Sequence, residues 1–206
     1  MSAKRGRFQV TEYVKQWLDQ ISNDPDREVK ARLARLRRGV GKNPGELPEL
    51  WCEFLQSRDC QDMPKTWYSW HSSGIPTYEE WAVYTTLTLF ALHQQGRDIQ
   101  KEYVHQEGKS LGAAAAELVK EKDDQERIWR RFCKVSTADD MEELNYYLRG
   151  MVQLFKANEI GLDYVKFAGD LYDFQYREIV DRVRLRWGED FYRIRMTDDE
   201  GGTKNE

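Results

Sequence analysis

The stretch from Trp81 to Gln95 contains no charged residue, and it is framed by a helix start signal and a stop signal. Thr77-Tyr78-Glu79-Glu80 reads as a capping box, in which the Thr77 hydroxyl caps the first turn and the Glu80 side chain reaches back to it. Gly96 closes the segment. A helix that is apolar all round has no face to offer water, so it belongs at the centre with other helices packed around it. His93, near its end, suits a structural histidine with a buried hydrogen-bond partner.

The flanking sequence supplies the surrounding helices. Val10, Tyr13, Val14, Trp17, Leu18 and Ile21 recur at helical spacing. Asp24 before Pro25 predicts an acidic N-cap with proline at the first helical position. The helix that follows ends at Gly39 and carries Val29, Leu33, Leu36 and Val40 near one face. A loop over 41–45 leads to a short helix near Pro48 with Leu50, Trp51, Phe54 and Leu55. Residues 57–76 form a long irregular stretch in which Trp67, Tyr68 and Trp70 sit among Ser, Pro and Gly. Loops of that length inside a compact domain are usually functional or disordered. Those aromatics could stack on bases, but packing, onto the bundle or onto a partner subunit, is the reading their size favours.

Beyond Gly96, a compact alanine-rich helix is predicted within 110–120, and another is marked by Ile128, Phe132 and Val135. Thr137-Ala138-Asp139-Asp140 predicts a cap that opens a helix of about 18 to 20 residues. Its stripe is Met141, Leu144, Leu148, Met151, Val152 and Phe155. Two more helical segments are expected near 163–174 and 176–187. The class is therefore all-α, a compact bundle of about eight or nine helices around one buried helix, with two helical lobes sharing that helix as the variant arrangement. Residues 1–196 read as one domain. Residues 197–206 hold Asp198, Asp199, Glu200 and Glu206 against Lys204, and read as an acidic, disordered tail.

Several function classes find no support. The three cysteines, Cys52, Cys60 and Cys133, lack the spacing of a disulfide framework or zinc site and read as reduced thiols. The acidic pairs Glu79-Glu80, Asp139-Asp140 and Glu142-Glu143 fall at predicted helix starts, where negative charge complements the helix dipole. No phosphate-binding loop, dinucleotide fingerprint, nucleophile elbow or HExxH zinc motif occurs. No apolar run approaches the roughly 20 residues of a membrane span. A cytoplasmic, non-catalytic binding protein without cofactor or metal is expected.

The net charge is −4, so any need for positive charge must be met by clustering. Clusters exist at helical spacing, where residues three and four apart share a face. Arg32, Arg35 and Arg38 form one ridge, with Arg37 beside them and Lys42 in the loop beyond. Arg127, Arg130, Arg131 and Lys134 form a second. Arg149, Gln153 and Lys156 form a third, and Arg182, Arg184 and Arg186 lead to Arg193 and Arg195 in a fourth. Arginine forks suit phosphate oxygens, and neutralising several phosphates releases counterions. Such ridges can equally be solvated faces pairing with local carboxylates.

Ordered blocks across residues 30–195 carry a family resemblance. They begin with Leu33-Ala-Arg-Leu-Arg-Arg-Gly-Val-Gly-Lys-Asn-Pro-Gly-Glu-Leu-Pro-Glu-Leu-Trp51. Tyr84-Thr-Thr-Leu-Thr-Leu-Phe-Ala-Leu-His-Gln-Gln95 and Ser110-Leu-Gly112 follow. The second half has Arg130-Arg-Phe132, Glu143-Leu-Asn-Tyr-Tyr-Leu-Arg149 and Leu162-Asp-Tyr164. Val183-Arg-Leu-Arg-Trp-Gly188 and Asp190-Phe-Tyr-Arg193 complete the set. In this order they resemble the CasB family, the small subunit of the type I-E CRISPR surveillance complex Cascade. Phe174-Gln175 departs from the family's tryptophan before the glutamine.

The resemblance implies an all-helical, non-catalytic subunit present in two touching copies. Its partners are the backbone and large subunits of Cascade, the guide RNA, the target DNA and the displaced single strand. It implies contacts to nucleic-acid backbone that help hold the R-loop open, with base pairing to the guide supplying sequence information. Carried onto this sequence, the candidate nucleic-acid-binding residues are Arg32, Arg35, Arg38, Lys42, Arg130, Arg131, Arg149, Lys156, Arg184 and Arg186. The competing reading is a protein-only scaffold whose basic faces meet acidic partner subunits.

Overall fold

The computed structural model describes residues 3–54, 64–68 and 75–202, and among them there are nine α-helices and no β-strand. The helices are α1 (Ala3–Asn23), α2 (Asp26–Arg37), α3 (Trp51–Phe54), α4 (Tyr78–His93), α5 (Leu111–Ala116), α6 (Lys122–Ser136), α7 (Met141–Ala157), α8 (Tyr164–Phe174) and α9 (Val180–Gly202). Short 3-10 turns at Pro48–Leu50 and Lys65–Trp67 complete the helical content.

The helix with no charged residue beyond its first turn is the centre, as its composition requires. From Ala82 to Ala91 every side chain of α4 is buried, and the helix packs against α1, α2, α7 and α8. Both halves of the Thr77–Glu80 capping box form. Three threonines lie inside this apolar helix, and Thr86 and Thr88 satisfy their hydroxyls on carbonyls one turn back. Past the helix, Gly96 takes a φ of +84°, a left-handed conformation that side chains resist. His93 donates or accepts at 3.0 Å with the Tyr164 hydroxyl, the buried partner expected for it.

The remaining helices close around that axis. Trp17, Phe90, Tyr164 and Phe167 meet edge to face in series. α9 lies along α5 and α8, and α6 lies on α7. Among the described residues the buried hydrophobic side chains, Ala113 apart, form one continuous cluster. Trp67 is buried at 1% exposure with its edge toward Tyr13, so this member of the aromatic stretch packs on the bundle. Trp70 and most of that stretch lie outside the described residues. No helix among the described residues is long and apolar enough to cross a membrane.

Three local expectations are corrected. Pro25 itself stands at the N-cap of α2, and the Asp24 carboxylate pairs with Arg32 instead of capping. The alanine-rich helix is only Leu111–Ala116, capped by Ser110. The last helix begins at Val180 and its backbone continues to Gly202, within the segment 197–206. Asp140 caps α7 as expected. Cys52 and Cys133 are free thiols, and Cys60 lies outside the described residues.

Candidate nucleic-acid interface

The structure separates the ten candidate cations into two groups. Six of them pair with carboxylates. Arg32, only 13% exposed at its side chain, donates to Asp24 at 2.7 Å and to Glu53 at 3.2 Å, with its guanidinium over the Trp17 ring. Arg35 donates its Nε to the other oxygen of Glu53 at 2.6 Å. Arg38 pairs with Glu49 at 3.0 Å. The ridge on α2 is thus met by acids from the Pro48–Phe54 segment, and Glu53 sits buried between two arginines. On α9, Arg184 donates to the Ala138 carbonyl and lies over Phe174. Arg186 pairs at 2.7 Å with Asp170, which is 1% exposed. Arg130 pairs with Glu126 one turn back along α6, on an open surface.

Arg131, Arg149, Lys42 and Lys156 are different. Among the described residues no carboxylate lies within ion-pairing distance of any of them. Arg131 on α6 and Arg149 on α7 line one concave groove of about 550 Å³ together with Lys134, Tyr146, Tyr147 and Gln153. The groove forms because α6 packs along α7, and helical spacing places Tyr146, Arg149 and Gln153 on the same exposed line of α7. At its other end Arg149 rests over the turn after α2. A Cβ at Gly41 (φ +79°) would lie 4.0 Å from the Arg149 Nη1. Lys42 follows in the same turn and is exposed.

Lys156 continues the line one turn beyond Gln153. Its amine donates to Gln95 at 3.0 Å, and Arg97 donates to its backbone carbonyl at 2.8 Å. Burial lowers the Lys156 pKa, and the neighbouring Arg37 and Arg97 charges lower it further. Burial likewise lowers the Arg37 pKa. Like charges held this close, with no acid between them, gain most from an incoming anion.

The candidate set thus contains the core of the strip and omits five of its members. Lys134 and Gln153 stand in the sequence stripes at the right spacing, Arg37 stands beside one of them, and the three complete it. Arg97 and Tyr146 carry no signal in a charge stripe, and only the packing of α4 and α6 against α7 brings them in. Acids mark the margin. Glu142 accepts from Asn43 at 3.0 Å, and Glu143 hydrogen bonds to Tyr147, raising the pKa of that hydroxyl. No cluster of His, Cys, Asp and Glu suited to a metal ion occurs among the described residues.

Residues 32–192 match the family described as CRISPR-associated protein Cse2. The chain is similar to the solved structure of CasB from Thermobifida fusca, at 31% identity over 89% of this chain and 98% of that one, with a TM-score of 0.69. It is also similar to M. ruber CasB, at 26% identity over 93% of this chain and 97% of that one, with a TM-score of 0.61. A Cse2-family protein of Thermus thermophilus shares the fold at 21% identity and a TM-score of 0.59, over 93% of this chain and 97% of that one. No curated protein is matched. The chain belongs to the Cse2 family, the CasB proteins of type I-E Cascade.

Proposed function

We propose that this protein is a non-catalytic Cascade small subunit that holds nucleic-acid backbone, without reading sequence, along the strip from Arg131 and Lys134 across Arg149 to Lys42 and Lys156. The observation that carries the reading is the groove between α6 and α7, whose cations have no carboxylate partner among the described residues. Guanidinium groups free to fork onto phosphate, on a chain of net charge −4, suit local contact without general affinity for DNA. In guide-directed recognition the exchange of one duplex for another is nearly balanced, so a few contacts to the displaced strand shift it toward the open R-loop. A subunit fixed in an assembly meets that strand at high effective concentration and needs little affinity of its own. The backbone and large subunits, the guide RNA, the target DNA and a second copy of this chain are its partners in this reading.

The test is target-duplex binding by Cascade reconstituted with Arg131→Glu, Lys134→Glu and Arg149→Glu. The expected result is normal assembly, weaker R-loop formation and a shallower dependence on salt, by about 0.7 to 0.9 in log–log slope for each phosphate no longer neutralised. Unchanged affinity in an assembled complex overturns the reading. Failure to assemble, with affinity intact wherever assembly is forced, supports the protein-only scaffold.

A further inference from the structure

Tyr146 is 71% exposed in the interior of α7, where a helix of this bundle ordinarily shows water a polar side chain. It stands one turn before Arg149 on the same helical line. Its neighbour Tyr147 meets it edge-on, with centroids 5.4 Å apart and planes at 69°, so the ring is supported on one side. Lys134 Nζ lies 6.0 Å from the Tyr147 centroid, which places a cation beside the aromatic pair. The groove therefore alternates cationic groups with an uncovered π-face. A single strand alternates phosphates with bases in the same way, whereas a duplex keeps its base faces stacked on one another.

We propose that Tyr146 is a stacking platform for an unpaired nucleobase of a polynucleotide whose phosphates lie on Arg131 and Arg149. The proposal rests on the nucleic-acid reading of the groove and adds what that reading lacks, a contact only an unpaired base can make. Stacking of this kind tolerates any base, because every base has a π-face. Guide RNA and displaced DNA present the same chemistry, so the ligand is an unpaired base in either backbone.

The test uses the full chain at low salt and fluorescence anisotropy with four labelled probes. These are oligothymidine, oligouridine, a DNA duplex of equal length and an abasic oligonucleotide of equal charge. Tyr146→Ala is expected to weaken binding of one or both base-bearing single strands by about fivefold or more, the lower end of one base–aromatic stack. Its affinity for the duplex and the abasic strand stays within about twofold. Tyr146→Phe keeps the stack and binds as the parent does, and Tyr146→Leu, which keeps apolar bulk without the ring, behaves as the alanine variant. A larger effect with oligouridine assigns the platform to RNA, and a larger one with oligothymidine to DNA. Equal losses on oligothymidine, oligouridine and abasic strands, or no loss at all, overturn the stacking proposal while leaving the phosphate strip standing. If Arg131→Glu with Arg149→Glu changes none of the four affinities, or the parent binds none of the probes, the nucleic-acid reading itself fails and Tyr146 falls with it.

Discussion

Trp187 Nε1 donates to Asp170 Oδ2 at 2.8 Å, and neither side chain reaches water. The other oxygen of Asp170 accepts from Arg186 at 2.7 Å and from Arg7 at 3.1 Å. One carboxylate on α8 therefore ties α1 to α9. Arg7 is held a second time by Asp173, three residues further along α8.

Replacing Asp170 with Ala leaves an indole N–H and an arginine without their acceptor at a buried site. Breaking a buried charge pair from one side costs about 3 to 5 kcal/mol, and that loss is expected in urea unfolding. Asp170→Asn keeps an acceptor for Trp187 and loses less. A loss under about 1 kcal/mol for the alanine variant would show that the network adds little to the docking of α1 and α9.

Gly112 and Gly188 make opposite predictions on one helix contact. A Cβ at Gly112 would stand 2.0 Å from the Trp187 carbonyl oxygen, a backbone atom of α9 that cannot step aside alone. Gly112→Ala is expected to push α5 off α9 and to lower stability by about 1 to 3 kcal/mol, or more. At Gly188, within α9, nothing lies within 4 Å of the same added atom. Gly188→Ala is expected to raise stability by about 0.5 to 1 kcal/mol through helix propensity. Thermal melting of the two variants beside the parent decides both.

The central helix also predicts a dependence on pH. His93 is 1% exposed, and its pKa is pushed down to about 4, first by burial and then by the Arg97 and Lys156 charges. Between that value and the ordinary 6.5 the unfolded chain binds a proton that the folded chain does not. Stability is therefore full above pH 6.5 and falls as the pH drops toward 4, by about 3 kcal/mol in all from this group. His93→Gln, which can still bond to Tyr164, is expected to flatten that part of the acid limb in urea titrations at pH 7, 6, 5 and 4. An unchanged acid limb would assign the loss to carboxylates instead.

Much of the fold is legible because helical periodicity and end signals are local. Thr77 and Gly96 bracket α4 within twenty residues of chain, and a helix with no charge beyond its first turn belongs at the centre. The site is less legible for a reason the α2 ridge makes plain. Spacing places Arg32 and Arg35 on one face, but the acid that occupies them is Glu53, 21 and 18 residues further on. The same applies to Arg186, whose partner lies on another helix. Four stripes look equivalent as strings of cations, and only packing tells which of them meets acids. Tyr146 is harder still, since a tyrosine in a helical stripe ordinarily reads as core.

Arg32 and Arg149 should therefore behave as opposites, although they carry the same charge. Arg32→Ala removes one of the two arginines on the buried Glu53 and uncovers the Trp17 ring, so a loss of about 2 to 4 kcal/mol in stability is expected. Its affinity for single-stranded oligonucleotides, measured well below the melting transition, stays as in the parent, because its donors already face Asp24 and Glu53. Arg149→Ala touches no ion pair among the described residues, so stability is expected to stay within about 0.5 kcal/mol. Oligonucleotide affinity then falls, and its salt dependence becomes shallower by about 0.7 for the one phosphate released. If the two variants exchange these behaviours, the Glu53 clamp opens onto nucleic acid and the groove beside α7 is a solvated face. The pair decides the matter because each variant removes the same charge and so serves as the other's control.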